Sequence, residues 1–356
     1  MADTQAASGL TVQQWDALFY KEFLNTNRFA KEIGKSPNSI IQIKESLTTK
    51  KGDSITFALV NRLTGAGVEG DAVLEGNEEA MISRSQKVTV AQIRHAVRTS
   101  ESQEQFSAIP LRNANRSVLM DWQMENFRDR IIAEFGSING VAYASASEAQ
   151  KDAWLVDNAD RVLFGALKSN AGTDHSAGLA NIDNTADKLT TAAVSLMKRI
   201  ALAASPKIRP IRVTEDKRFF VMYANALSFR DLKADSTITQ AQREAMERGP
   251  NNILFTGGDL HWDGVIIKEI EDFPIVTDST IDVGRANLTG AQAIAFGVAK
   301  RPNTVTKDFD YGDKHGLAIR EMLGVDKMLF GTGDGDTDDL KDHGMVTGWF
   351  AAVADV

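Results

Sequence analysis

Between two short runs of alternating polarity lies the stretch that most restricts what this chain can become. Ile55, Phe57 and Leu59 alternate with Ser54, Thr56 and Ala58, and Val88 and Val90 alternate with Lys87, Thr89 and Ala91, so each run reads as a half-buried strand. The interval from Asn61 to Gln86 holds Gly65, Gly67, Gly70 and Gly76, the acids Glu69, Asp71, Glu75, Glu78 and Glu79, and the bases Arg62 and Arg84. It has too few large apolar residues to build a core of its own. Connections longer than about 12 to 15 residues without internal packing are uncommon in compact domains. The interval therefore has to project, and a neighbouring copy of the chain is one ordered place for it to rest.

On the N-terminal side, Val12, Trp15, Leu18, Phe19, Phe23 and Phe29 recur at helical spacing, which predicts an amphipathic arm over Leu10 to Ser36, broken by Pro37 and Asn38. Ile40, Ile41 and Ile43 then make a short strand-like stretch. Pro110 suits the first turn of a long helix whose face runs through Leu111, Ala114, Val118, Met120, Met124, Phe127, Ile131 and Phe135 to Gly136. Met120, Met124 and Phe127 read as a core-facing ridge. A second helix is predicted over Lys188 to Ala204, ending before Pro206. From Ile208 the pattern changes to short strands at Ile211 and Val213, Phe219 to Tyr223, Val265 to Ile270 and Pro274 to Val276, with a polar helix from Thr239 to Arg248. The tail reads as a helix over Lys314 to Leu323, followed by strands at Lys327 to Phe330 and Val346 to Ala352. A length of 356 residues favours two or more packed lobes over one core.

Composition removes several functional classes. Lys plus Arg number 40 against 48 Asp plus Glu, a net charge of −8, which is far from the basic excess of a protein that neutralises many phosphates. There is no cysteine, hence no disulfide framework, no Cys-ligated metal and no thiolate nucleophile. The first nine residues lack the basic start and apolar stretch of a secretory signal. The weakly polar run Ala291 to Ala299 falls well short of the roughly 18 to 20 apolar residues that a membrane helix needs, so a soluble protein is expected.

Three motifs tempt and fail. Gly65-Ala66-Gly67-Val68-Glu69-Gly70 matches the dinucleotide-binding spacing, but the acidic stretch Asp71 to Glu79 that follows offers no apolar helix face and would repel phosphate. Asp334 to Asp339 starts like a calcium loop, yet Asp339 stands where Gly is wanted and Met345 where Glu is wanted. Asp259, His261 and Asp263 lie close in sequence and define an alternative reading as a metal-dependent enzyme, although no second His is near. On the long helix Arg112, Arg116, Arg128 and Arg130 interleave with Asp121, Glu125 and Asp129, which reads as a charge-laced surface. No catalytic residue, cofactor site or metal site is expected.

Several segments together resemble the phage-capsid-like major capsid proteins of tailed bacteriophages. They are Lys51 to Phe57, Arg62 to Val68, Gly70 to Glu79, Arg209-Pro210-Ile211, Asp231-Leu232, Arg248-Gly249, Gly257 to Val265 and Asp310-Tyr311-Gly312. The resemblance runs from about the end of the arm to the C-terminus, and the stretch from Gly65 to Glu79 is its most specific part. It implies an α+β chain with the tailed-phage and herpesvirus-type capsid fold. The implied parts are an N-terminal arm (1–50), an extended loop (51–92), a peripheral domain with a long spine helix (93–188 and 302–356) and an axial domain (189–301). The implied function is structural: hexamers and pentamers of identical copies closing an icosahedral shell around double-stranded DNA, held without sequence-specific binding. The implied partners are the chain itself, a separate scaffolding protein, a portal and a decoration protein, with no membrane, and the implied location is the virion capsid, assembled in the host bacterial cytoplasm. The assembly contacts expected on this reading are Trp15, Phe19 and Phe23 of the arm, and Arg62, Gly65, Gly67, Glu69, Gly70, Asp71, Glu75, Glu78 and Glu79 of the loop. A related shell-forming compartment that encloses cargo is the nearest alternative.

Overall fold

The computed structural model describes residues 28–48, 51–63, 65–71, 73–107, 109–212, 218–244, 259–278 and 281–354. By their internal contacts the described residues fall into two units, one of 92–127 and 300–322, the other of 28–91, 128–299 and 323–354.

A mixed sheet organises the larger unit. Its strands run in the order Val162–Phe164, Met345–Ala351, Ile281–Thr289, Arg218–Asn225, Val265–Ile270, Leu260–Trp262, with Ile275–Asp278 also paired to Ile281–Thr289 and Ile211–Arg212 to Arg218–Asn225. Asp263 and Gly264, at φ 46° and 71°, make the tight turn that folds Leu260–Trp262 back onto Val265–Ile270. Val265–Ile270 lies parallel to Arg218–Asn225, which demands a crossover, and the helices Ala226–Ala234 and Ser236–Glu244 occur within it.

Successive side chains of the central strands point to opposite faces, so the sheet feeds two cores. Ala286, Leu288, Val346 and Phe350 pack with Ala193, Val194, Met197 and Ile200 of the helix Thr191–Ala203, and with Phe229 and Leu232. On the other face Val283, Trp349 and Ala351 meet Trp154 and Leu155 of the helix Glu148–Asp157 and Leu179 of the helix His175–Ala180. Each of the larger buried side chains contributes about 1.5–3 kcal/mol relative to exposure.

The helix Leu111–Phe135 ends inside this unit, where its last carbonyls lack helical partners. The central strand supplies them: Asn287 Nδ2 donates to the Phe135 carbonyl at 2.8 Å and the Arg285 guanidinium to Ile132 at 3.4 Å. Lys327 donates to the Ser137 carbonyl just beyond. Two cations at a helix C-terminus also complement its dipole. Burial lowers the Arg285 pKa to about 10, which still leaves it charged at neutral pH. Gly136 is required here, because a Cβ would fall 1.6 Å from the Arg285 guanidinium. Lys327 is in turn paired with Asp342 at 3.0 Å, both side chains only 2% exposed, and the Trp154 indole donates to the same carboxylate at 3.4 Å.

The smaller unit is built from the strand Ala91–Ser100, the helix Glu101–Phe106, the long helix as far as Phe127, and the 300–322 stretch of the strands Ile294–Phe309 and Lys314–Lys327. Trp122 stacks on His95 with ring centroids 4.5 Å apart, Asn115 bonds Thr99 at 2.6 Å, and Gln123 donates to the buried Glu321 at 2.9 Å. Three consecutive residues at positive φ, Asp310, Tyr311 and Gly312, turn the chain between its two strands.

Several expectations need correction. Lys314 to Leu323 is strand, not helix: its inward row is Ile319, Glu321 and Leu323, and the glutamate hides the two-residue period. Met120 and Met124 are exposed and do not form a core ridge; Leu119, Ile131, Ile132 and Phe135 are the buried apolar residues of that helix. Arg128, read as part of a solvated charge face, is buried and pairs with Asp272 at 2.7 Å. Over residues 28–36 the expected arm helix is replaced by turns and the two-residue strand Ile33–Gly34. Trp15, Phe19 and Phe23 lie outside the described residues. The polar helix spans Ser236–Glu244, earlier than read, and residues 245–258 lie outside the description.

Candidate assembly surface

The strands Ser54–Val60 and Ser83–Thr89 pair antiparallel from Ser54 opposite Thr89 to Val60 opposite Ser83. One face of this ribbon is buried: Ile55, Phe57 and Val88 pack with Ala295, Met328 and Phe330. Lys44 closes the edge, its ammonium 4.3 Å from the Phe57 ring centre and 2.9 Å from the Thr56 carbonyl. The base is also pinned by polar contacts. The Gln86 amide donates to the Lys327 carbonyl at 2.6 Å and accepts from the Leu329 amide at 2.7 Å, acting as one rung of a sheet ladder. Arg84 donates to the Gly333 carbonyl, and Ser85 Oγ donates to Asp336 at 2.8 Å. The Gly/Asp-rich loop that reads as an incomplete calcium loop thus holds the base of the ribbon.

Beyond this base, residues 61–82 contain no helix or strand among the described residues. Internal contacts set their course. The Gly65 amide donates to Glu79 Oε2 at 2.6 Å, Asn61 to the Ile82 carbonyl at 2.9 Å, and Gly76 to Glu78 Oε2 at 2.7 Å. Gly65 permits its contact by close approach, since a Cβ would sit 2.8 Å from the Glu79 carboxylate. Gly67, Gly70 and Gly76 all have positive φ. Of the loop residues expected as contacts, Arg62, Gly65, Gly67, Glu69, Gly70, Asp71, Glu75, Glu78 and Glu79 are all exposed.

The structure adds a set that composition concealed. Leu63, Val73, Leu74 and Met81 are exposed by 61, 66, 60 and 68%, and Val60 and Ile82 flank them. Large exposed apolar residues gathered in one segment make it a candidate contact surface. The signal was present in sequence as apolar residues scattered without period through a Gly- and acid-rich stretch.

The alternative catalytic turn does not assemble. Asp259 pairs with Arg28 at 3.3 Å, Asp263 with Lys198 at 2.7 Å, and His261 stacks against Phe219 with centroids 5.5 Å apart. The three side chains engage separate partners. Gly65 to Gly70 opens no helix, so no phosphate cradle forms.

The sequence profile of the phage capsid protein family matches residues 3–353. The chain belongs to that family. It is similar to the major capsid protein of Pseudomonas phage KPP25, 27% identical over 351 residues and covering 92% of each chain. Its structure resembles that of the cyanophage Pam1 capsid asymmetric unit, 31% identical with a TM-score of 0.89 over 100% of both chains. The capsid of Ralstonia phage GP4 has the same fold at 21% identity, TM-score 0.75, again over 100% of both chains. The α+β architecture is therefore that of phage capsid proteins, and the chain is a structural subunit of a phage capsid shell. No helix among the described residues is long and apolar enough to cross a membrane.

Proposed function

We propose that this capsid subunit assembles into hexamers and pentamers that close an icosahedral shell around double-stranded DNA, with the loop 61–82 lying on a neighbouring subunit. The observation that carries this reading is the loop itself: a base locked by packing and by Gln86, Arg84 and Ser85, and beyond it Leu63, Val73, Leu74 and Met81 exposed. A single chain leaves that apolar surface in water, and a repeated shell covers it many times over. Arg62, Gly65, Gly67, Glu69, Gly70, Asp71, Glu75, Glu78 and Glu79 frame the same surface, and Trp15, Phe19 and Phe23 of the arm are the second set of contacts.

On this reading 1–50 is the arm, 51–92 the extended loop, 93–188 with 302–356 the peripheral domain and 189–301 the axial domain. A scaffolding protein, a portal and a decoration protein complete the particle, which forms in the host cytoplasm. The subunit's role is structural and not enzymatic. Its charge of −8 suits confinement of DNA by geometry, without a grip on phosphates. Deleting Val68 to Glu78 tests the reading: the subunit stays soluble and folded, and closed particles disappear from electron micrographs. Normal particles from the deletion would overturn the loop assignment. Nuclease-protected DNA in purified particles distinguishes a genome shell from a cargo compartment.

A further inference from the structure

The helix Glu148–Asp157 places Glu148 and Asp152 one turn apart on the same face. After the strand Val162–Phe164 the chain returns to Asp174, which caps the helix His175–Ala180. One carboxylate oxygen from each of Glu148, Asp152 and Asp174 lies within 4.8 Å of the others. Lys151, 3.4 Å from Glu148, supplies a single ammonium against these carboxylates. Asp152 also accepts from the His175 amide at 2.7 Å, and Asp174 from the Ala177 amide at 2.9 Å and Ser176 Oγ at 2.7 Å, so both aspartates are oriented by the first turn of the helix His175–Ala180.

An acidic group of this kind is ordinary by itself; the residue behind it is not. His175 is completely buried, and neither ring nitrogen has a hydrogen-bond partner. Buried polar atoms are nearly always satisfied, so two orphaned nitrogens in one ring call for an explanation. The ring is fixed by Tyr143, Trp154, Phe164 and Trp349, at centroid distances of 5.8, 6.4, 5.6 and 5.6 Å. In that setting Nδ1 faces the acidic group, 3.8 Å from Glu148 Oε1.

We propose that Glu148, Asp152 and Asp174 form a divalent-cation site completed by His175 as its nitrogen ligand. Three carboxylates suit a hard cation, and the imidazole shifts preference from the all-oxygen ions Ca²⁺ and Mg²⁺ toward a transition ion such as Mn²⁺. Ligand atoms around one such ion stand roughly 3 Å apart, so the exposed Glu148 and Asp174 close inward by about 1 Å on binding. The ion would staple the helix Glu148–Asp157 to the segment that follows the strand Val162–Phe164.

The test is a titration of the full-length protein, stripped with chelator, with Mn²⁺, Ca²⁺ and Mg²⁺ by calorimetry, with free Mn²⁺ followed by electron paramagnetic resonance. One Mn²⁺ per chain is expected, bound at least tenfold tighter than Ca²⁺ or Mg²⁺. The double variant E148Q/D152N keeps shape and acceptors and should weaken Mn²⁺ binding at least tenfold. H175F refills the aromatic cage and should remove the preference for Mn²⁺ over Ca²⁺. Should H175F fail to fold, nitrogen hyperfine coupling in the spin-echo spectrum of the bound Mn²⁺ decides the role of His175 in its place, and its absence would overturn that role. No saturable Mn²⁺ binding, or affinity unchanged in E148Q/D152N, would overturn the site, and a Mn²⁺ preference that survives in H175F would overturn the role of His175.

Discussion

Along Ile281–Thr289 the residues Arg285, Asn287 and Thr289 are polar yet buried, each donating to a carbonyl of Ile132, Phe135 or Val221. Along the loop 61–82 the opposite arrangement holds: Leu63, Val73, Leu74 and Met81 are apolar yet exposed, and the polar groups around them bond one another. The first region uses polar chemistry to hold a single subunit together, tying helix to sheet. The second withholds apolar surface from the subunit. If the loop makes the contacts proposed above, stability of the chain and cohesion of the shell reside in separate residues, and substitutions should divide along that line.

The largest expected effect falls in the buried region. Lys327→Met removes the partner of Asp342 in a site closed to water and should cost about 3–5 kcal/mol of subunit stability, read as a lower midpoint in denaturant. An unchanged midpoint would break the contrast. Next comes the loop. The triple change L63S/L74S/M81S should leave subunit unfolding within about 0.5 kcal/mol of the parent. The same change should weaken assembly by about 2–3 kcal/mol per subunit, seen as a raised critical concentration for particles.

Smaller effects come from pH. Burial, and then the Glu134 carboxylate, raise the Asp326 pKa to about 7. The folded chain therefore keeps a proton that the unfolded chain loses, and the contribution of Asp326 declines as pH rises from about 4 through 7. After allowance for partial exposure, Asp326→Asn should stabilise by about 1–2 kcal/mol at pH 8 and do little near pH 4. His343 has the opposite sign. Burial first, and Arg161 and Arg209 next, lower its pKa to about 4, so only the unfolded chain gains its proton as pH falls from about 6.5 to 4. His343→Phe should flatten that acid loss in a series of thermal melts. Smallest is Gly65→Ala, which crowds the Glu79 carboxylate. The carboxylate end can swing away, so less than about 1 kcal/mol is expected, detected as faster amide exchange confined to the loop.

Much of the fold is legible in the residues because local rules and tertiary context agree. Pro110 and Gly136 bracket the helix Leu111–Phe135, and simple alternation marks the strand Ser54–Val60. Legibility fails where a polar residue occupies an inward row. Glu321 interrupts the period of Lys314–Lys327, and Arg285 and Asn287 do the same to Ile281–Thr289, the central strand, which no pattern announces. The same holds for the proposed surface. Projection of the loop follows from its lack of core residues, whereas the course that leaves Leu63, Leu74 and Met81 exposed is set by the Gly65–Glu79 and Asn61–Ile82 hydrogen bonds, which no spacing reveals. For the candidate cation site, Glu148 and Asp152 have helical spacing, but Asp174 and His175 join them only through the fold.

At the first described residues, Phe29 is wholly buried between Phe135 and Tyr223, Arg28 binds Asp259 and the Glu269 carbonyl, and Glu32 pairs with Lys268. A pull on the chain upstream of Arg28 is consequently shared in parallel by the end of a helix and by two neighbouring strands. No one of these contacts can be peeled off before the others resist. On the assembly proposed above, residues 28–32 are an anchorage for tension, holding the chain in its subunit when the shell is stretched.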